Sequence, residues 1–524
     1  MFSLGRIHDP RMNGEILTKI NGGQLDLKKA LLETEELFYQ CFEKKLPPDP
    51  PVQLKQALSD RILSGLFRPL SFVTTLGTPS KAVIDSNGEV YPEWKEKLDY
   101  EYNNLLSHHT REVNVADFGA IGDGLTDNTA AFKKALGNGR VKVNVPEGIF
   151  IVKGIRLPSW TSLIGTGKGK TIIKLYGDAP KGTRLVTNAN HWRGNHHLFV
   201  QGMTLDWNVE RLGNVPKTAT WGNHSSCLTY ANVTYGWVRD VEAINPGLHC
   251  FDISSTLYNY AGDGYRAKGG SSYIWLDNLN GYGFGDDGIT THHSEKIFIS
   301  NSHMCDPSGR AHKKGFSNSN GIEVDDGSKD VMLVNNSTAR CFGGVECKAH
   351  ENSSAAANVQ IIGHLSVNDN RSFNFRHIGH HKSTDNKSKT AYNLMATNLA
   401  AIAPIYSDLY ADSTPRGLVV SAYENVVINH FTLVGDPDYE YKGNPVIALQ
   451  YRARNVILNH INLCDFKKAG AGIKIYGGAN QADSVRIENV VSKNSSSKAV
   501  EVGQGGQDVT VTNVKEYTEP AIKK

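Results

Sequence analysis

The chain has 524 residues, 21% of them charged, with a formal net charge of +3. So small a charge over this length excludes bulk attraction to nucleic acid, and the length exceeds a single core of about 100–200 residues, so several units or one elongated repeat are required. With 51 glycines and 39% hydrophobic residues, the composition favours turn-rich β-structure over helical, collagen-like or disordered chains.

The opening, MFSLGRIHDPRMNGE, holds no apolar run followed by a small-residue cleavage site, so no secretory signal is expected. In DLKKALLETEELFYQCFEKKL, residues Leu27, Leu31, Thr34, Phe38 and Cys41 or Phe42 recur at intervals near 3.6 and predict one buried helix face. LPPDPP, 46–51, ends that helix because consecutive prolines cannot continue it. Two more amphipathic stretches are expected around 52–67 and 92–106. Residues 1–90 thus read as a helical module, and 91–112 as a neck helix and linker.

From Val113 the pattern changes. VNVADFGAIGDGLTDNTAAFKKAL, 113–136, runs from strand through a Gly-rich turn to a helix that Thr126 or Asp127 can cap. A V-x-I-x-N repeat then ends at Asn278, Asn301, Asn335, Asn489 and Asn513, with Gly363, His430 and His460 as substituted last positions. The spacings are 23–34 residues except for 67 between Gly363 and His430, which covers two coils or one coil with a long loop. A second repeat, GITT at 288, GIEV at 321, GVEC at 344, GIKI at 472 and AVEV at 499, interleaves with the first. Two strands recurring in one order, without hairpin dipeptides, imply coils stacked in parallel, about 4.8 Å apart. Asn at a recurring corner can bond to its equivalents above and below.

Aligning the second repeat places Ile289, Ile322, Val345 and Phe373 inward on consecutive coils, with Thr290, Glu323, Glu346 and Asn374 beside them facing outward. Three residues after each anchor come His292, Asp325, Lys348 and Arg376; four after come His293, Asp326, Ala349 and His377. Asp286 and Asp287 precede the first anchor and Arg371 the last. Glu323 stacked on Glu346 is costly unless one is protonated or paired with a cation, and carboxylates forced apart in pKa suit general acid–base chemistry. Asp286, Asp287, Glu323 and Glu346 are therefore candidate catalytic groups. His292, His293, Asp325, Asp326, Lys348, His350, Arg376 and His377 are candidate substrate contacts. A solvated face of mutually paired charges is the alternative.

VADFGAIGDGLTDNTAAF resembles the opening signature of the pectate-lyase superfamily, whose right-handed parallel β-helices are common in bacteriophage tailspikes and pre-neck appendages. The resemblance implies an all-β, pectin-lyase-like right-handed parallel β-helix over 113–524. AGDGY, GDDGI and GGVECK stand in the order of the NTD, GDD and RIK segments of polygalacturonases. That likeness implies catalytic roles for Asp263, Asp286 and Asp287, with Asp263 and Asp287 one coil apart at 24 residues, and a substrate-binding cation at Lys348. Here SNG, 319–321, replaces the family's GHG and Glu346 its arginine, so the acid–base layout carries over and the substrate does not.

The function so implied is that of a phage receptor-binding spike that binds and depolymerises a bacterial surface polysaccharide (capsule, exopolysaccharide or teichoic acid) by carboxylate-mediated hydrolysis. A polysaccharide lyase, a teichoic-acid phosphodiesterase and a non-catalytic glycan-binding β-helix are the alternatives. The tailspike likeness further implies a homotrimer on the virion, joined to phage particle proteins through the N-terminal module and made in the host cytoplasm without a signal peptide. Neither cofactor, metal nor nucleic acid is expected.

The remaining motifs read as structure. Residues 394–406, LMATNLAAIAPIY, are too short and interrupted to cross a bilayer, so no membrane insertion is expected. Seven scattered cysteines without a CxxC pair read as thiols of a reducing compartment. Trp207, Trp221, Trp237, Tyr282 and Phe284 read as core or stacking fillers, with sugar contact as the alternative. GTGKGKT, 165–171, lacks the leading Gly of a phosphate loop, where Ile164 stands, and reads as a turn. HIGHH, 377–381, reads as a loop or sugar contact.

Overall fold

A computed structural model describes residues 2–23, 25–43, 79–256, 269–506 and 508–517. The amphipathic stretch expected at 52–67 lies outside the described residues, and so does Asp263. From Arg111 onward the chain winds as a right-handed parallel β-helix. One wall is a parallel sheet of twelve short strands, from Ile155–Leu157 to Val500–Val502. The remaining walls come from longer strands that bend around a corner, among them Lys329–Ala339, Ala357–Val367, Tyr392–Ile402, Glu424–Val434 and Arg454–Cys464.

The corner explains the V-x-I-x-N repeat. Its last residue adopts a left-handed backbone on every coil: Asn278, Asn301, Asn335, Gly363, His430, His460, Asn489 and Asn513 all have φ between 46° and 71°. Asn, Gly and His accept that conformation more readily than other residues. The 67-residue spacing resolves into two coils, the extra corner being Asn398 at φ 58°. Asn side chains also bond along the axis: Asn425 donates to Asn393 Oδ1 at 3.0 Å and Asn455 donates to Asn425 Oδ1 at 2.6 Å. A second ladder links Asn489 to Asn459 and Asn459 to Asn429.

Coil registration follows the sequence. Ile289, Ile322, Val345 and Phe373 pair in succession and are fully buried in one continuous apolar core. Trp207, Trp237 and Phe284 are buried, whereas Tyr282 carries Arg6 over its ring at 4.8 Å and Trp221 is half exposed. GTGKGKT is the turn between the strands Thr161–Ile164 and Thr171–Leu175. No disulfide joins the cysteines, and no helix among the described residues is long and apolar enough to cross a membrane.

Helices dress the long-strand walls. Helix α1, Asn13–Ile20, buries Leu17 against Leu365 and Ala400. Helix α2, Leu27–Glu43, buries Ala30, Thr34, Leu37, Phe38 and Cys41, so Ala30 and Leu37 join the expected stripe while Leu27 and Leu31 stay partly buried at its edge. Its Phe38 and Cys41 pack on Met395, Val427 and Ile457. Helix α3, Lys95–Ser107, sets Leu98 and Leu105 on Phe199 and Trp237. The first coil strand, Arg111–Asn114, starts two residues ahead of the expected boundary and pairs with Val141–Asn144. Helix α4, Thr129–Leu136, places Phe132 and Leu136 in the core near its N-terminal end. Asp127 accepts the Thr129 backbone N–H at 3.0 Å, whereas Thr126 turns back to Asp123.

Candidate functional site

The outward positions of the twelve-stranded wall form a grid. One column reads Asp252, Thr290, Glu323, Glu346 and Asn374 on successive coils. The column three residues beyond each inward anchor holds His292, Asp325, Lys348 and Arg376. Two residues before each anchor stand His249, Asp287, Asn320, Gly343 and Arg371. The middle coils are acidic, yet their side chains are almost entirely shielded from solvent: Asp286, Asp287, Glu323, Asp325, Asp326, Glu346 and Lys348 are each 6% exposed or less.

Buried carboxylates require partners, and each receives them. Lys348 Nζ lies 2.6 Å from Glu323 Oε1 and 3.8 Å from Asp325 Oδ2. Arg376 Nε lies 2.5 Å from Glu346 Oε1, which also accepts from Asn374 Nδ2 at 2.6 Å. Between the stacked glutamates, Asn320 Nδ2 donates to Glu323 Oε1 and Glu346 Oε2, both at 2.8 Å. The sequence predicts that this stack requires a cation or a proton, and Lys348, Arg376 and the Asn320 bridge meet that demand.

The aspartate pair is held differently on its two sides. Asp287 Oδ1 accepts the Asn320 backbone N–H at 2.9 Å. Asp286 Oδ1 lies 2.9 Å from His312 Nε2. His249 Nε2 stands 3.7 Å from Asp286 and 3.5 Å from Asp287, while its Nδ1 is 2.7 Å from Asp252 Oδ2. His312 and His350 retain about a third of their side-chain surface in solvent and mark the opening.

Electrostatics separates the neighbours. Burial opposes ionisation of Asp286, but the charge of His312 and the contact with His249 outweigh it and hold this carboxyl well below the usual range. Burial, reinforced by the charges of Asp286 and Glu323, pushes Asp287 well above it. Burial also raises Glu323, against the pull of Lys348. Glu346 and Asp325 are lowered in spite of burial, by Arg376 and by Lys348 respectively. Burial disfavours charge on His249, but its hydrogen bond to Asp252 and the nearby Asp286 carboxylate lift it to about 9. The Asp286 charge raises His312 against burial. Two adjacent carboxyls are thus driven apart in acidity, the arrangement that general acid–base chemistry uses.

The structure gathers Asp286, Asp287, His292, Glu323, Asp325, Asp326, Glu346, Lys348, His350 and Arg376 on neighbouring coils. His292 Nε2 is 3.5 Å from Asp325 Oδ2, and His350 Nδ1 is 3.1 Å from Asp326 Oδ2. His293 sits at the margin, its backbone N–H donating to Asp326 O at 2.6 Å and its ring against Gly327, where any β-carbon would come within 2.3 Å of Nδ1. His377 faces away, toward Ser388 Oγ at 2.6 Å and Ser353 O at 3.0 Å. His249, Asp252, Asn320 and His312 join the site without having been singled out from sequence. His249 is readable by extending the column before the anchors one coil back, to Phe251; His312 comes from a loop with no periodic signal. Among the described residues of this site, three side-chain sets bring ligand-type atoms within 4.8 Å of one another: His249 with Asp286 and Asp287, His292 with Glu323 and Asp325, and Asp325 with Asp326 and His350. A divalent ion at the first set competes with the proton that His249 keeps up to about 9.

A right-handed parallel β-helix carrying a buried ionisable cluster on its outer face is the architecture of the pectate-lyase-like proteins. The family model described as "Rhamnogalacturonase A/epimerase, pectate lyase-like" matches residues 112–346. The chain is 53% identical over 432 residues to the putative phage-related protein YobO of Bacillus subtilis (strain 168), covering 82% of this chain and 53% of that one. It is 43% identical over 509 residues to the pre-neck appendage protein of Bacillus phage phi29, covering 91% and 57%. The crystal structure of the N-terminal fragment of phi29 gene product 12 superposes with a TM-score of 0.72 at 40% identity, covering 80% of this chain and 69% of that fragment. The chain belongs to the pectate-lyase-like β-helix proteins of the phage pre-neck appendage type. It spans just over half the length of the curated relatives it matches.

Proposed function

We propose that this groove hydrolyses glycosidic bonds of a bacterial surface polysaccharide and that the protein serves as a virion-associated, receptor-binding appendage. Kinship with phage pre-neck appendage proteins supports the second part. In this reading residues 1–90 attach the spike to the particle, 91–112 form its neck, and the functional unit is a homotrimer. The observation that carries the chemistry is the placement of Asp286 against His312 and His249 while Asp287 is buried beside Asp286 and Glu323, which drives the two carboxyls apart in acidity. Asp287 donates its proton to the glycosidic oxygen as the bond from the anomeric carbon to that oxygen breaks. Asp286 takes a proton from water as the water oxygen bonds to the anomeric carbon. Lys348 and Arg376 hold Glu323 and Glu346 in place around the pair.

Incubation with purified capsule, exopolysaccharide and teichoic acid, with fragments weighed by mass spectrometry, tests the reading. Asp287→Asn is expected to slow cleavage about 10²–10⁴-fold, the usual worth of a positioned acid or base. Undiminished activity in both Asp287→Asn and Glu323→Gln removes the assignment. An ultraviolet-absorbing unsaturated product identifies a lyase instead, released glycerol phosphate a phosphodiesterase, and retention of glycan without fragments a binding protein.

A further inference from the structure

Beyond the acids, the same grid turns basic. Continuing the column before the anchors, Arg371 pairs in register with Arg416 on the next coil. At about 4.8 Å per coil, they stand some 14 and 19 Å along the axis from Asp287. Between them opens a cavity of about 360 Å³ lined by Arg371, Arg376, Arg416, His381, Gln450 and Tyr476 together with other neutral residues, and no carboxylate lines it. Arg376 is committed to Glu346. Arg416 donates to neutral acceptors, Pro415 O and Asn444 Oδ1, both at 3.0 Å. Arg371 lies beside the Phe342 ring at 5.5 Å, and its buried Nε has no hydrogen-bond partner. Burial lowers both Arg371 and Arg416 to about 10, so each stays charged at neutral pH.

Buried guanidinium groups lacking a carboxylate are costly by themselves. Their planar forks match the paired oxygens of a carboxylate or phosphate. We infer that the Arg371–Arg416 cavity is a binding site for an anionic substituent, carboxylate or phosphate, of the polymer laid along the groove. That the anion belongs to a polymer rests on the proposed function; anion binding in the cavity does not. A chain running parallel to the axis places this charged group a few sugar units from the bond presented to Asp287, so the site selects polymers by charge away from the point of cleavage.

Calorimetric titration of the full chain with inorganic phosphate and, separately, with glucuronate at low ionic strength reads the site without any turnover, so a failed hydrolase assignment leaves the measurement intact. Binding of at least one probe is expected, weakened tenfold or more in Arg416→Gln and in Arg371→Gln and unchanged in Lys142→Gln, whose Lys142 pairs with Glu112 on the first coils. Circular dichroism verifies that each variant is folded, and Arg416→Gln alone decides if Arg371→Gln does not fold. Preference for phosphate points to a phosphodiester-linked polymer and preference for glucuronate to a uronate-bearing one. Failure of both probes to bind wild type, or binding that survives Arg416→Gln, overturns the assignment.

Discussion

Replacing Lys348 with Met tests how the buried acids are held. The ammonium is 5% exposed and sits 2.6 Å from Glu323 and 3.8 Å from Asp325; Met keeps its length and removes its charge. Breaking a buried pair by deleting one partner costs about 3–5 kcal/mol. Unfolding entropy of about 2.1 cal/mol/K per residue over 524 residues is about 1.1 kcal/mol/K, so the melting temperature falls by about 3–5 °C if the whole chain unfolds together. Stacked coils that unfold in blocks give a larger shift. Acidity modulates the loss. Glu323 is raised above its unfolded value, so its contribution is complete below the unfolded pKa of about 4.3 and is lost as pH rises through the folded value. Removing the ammonium raises Glu323 further and widens that window. Asp325 is lowered in the wild type, and its contribution, present above its unfolded pKa, disappears as pH falls through the folded value. The Glu323 effect makes the gap between wild type and Lys348→Met grow as pH rises from 5 to 8, as read by thermal denaturation in matched buffers, whereas the Asp325 contribution is fully present throughout that range. An equal gap at both pH values, or none, refutes the view that Lys348 opposes the upward shift of Glu323.

If Asp287 is the acid, cleavage declines as pH rises through its elevated folded pKa, while Asp286 remains a base well into the acid range. Glu323→Gln removes one of the charges that raise Asp287, so the alkaline limb of the rate profile moves to lower pH; a limb that stays in place assigns the acid elsewhere. In the asparagine ladder, Asn425→Ala loses the bonds to Asn393 and Asn455 and leaves a β-carbon at φ 56° without the local bonding that lets Asn sit there. The expected loss is about 2–4 kcal/mol in denaturant unfolding, from two hydrogen bonds and one strained residue. Asn425→Gly recovers only the backbone part, and equal losses in the two variants contradict a conformational role.

Coil registration was legible because two independent signals coincide: the residue that tolerates a left-handed corner, and the alternation of inward and outward side chains. Where either weakens, the reading fails. The coil ending at Asn398 is hidden because Ala396 stands where the repeat has Ile, so LMATN reads as part of an apolar run. His249 and Asp252 escape because their anchor, Phe251, follows Cys250 rather than the Gly or Ala that opens GITT, GIEV, GVEC, GIKI and AVEV. His312 reaches Asp286 from the loop between Cys305 and Asn320, where no repeat governs position. Helix α2 turns a slightly different face inward because it must fit Met395, Val427 and Ile457 on a wall whose shape its own sequence does not encode. For Glu323 and Glu346, stacking alone implied a compensating cation, and the anchor-plus-three column supplied two.

The left-handed corner also bears on how such β-helices diversify. Since the coils turn at a left-handed corner, held by Asn, Gly, His or, at position 240, Asp, and meet their neighbours through the same backbone ladder, inserting or deleting a whole coil shifts everything beyond it by one step while keeping that ladder in register. The distance between the acid pair and the arginine cavity can therefore change in fixed increments, which on the proposed reading is a ruler for refitting one scaffold to polymers whose charges recur at different intervals.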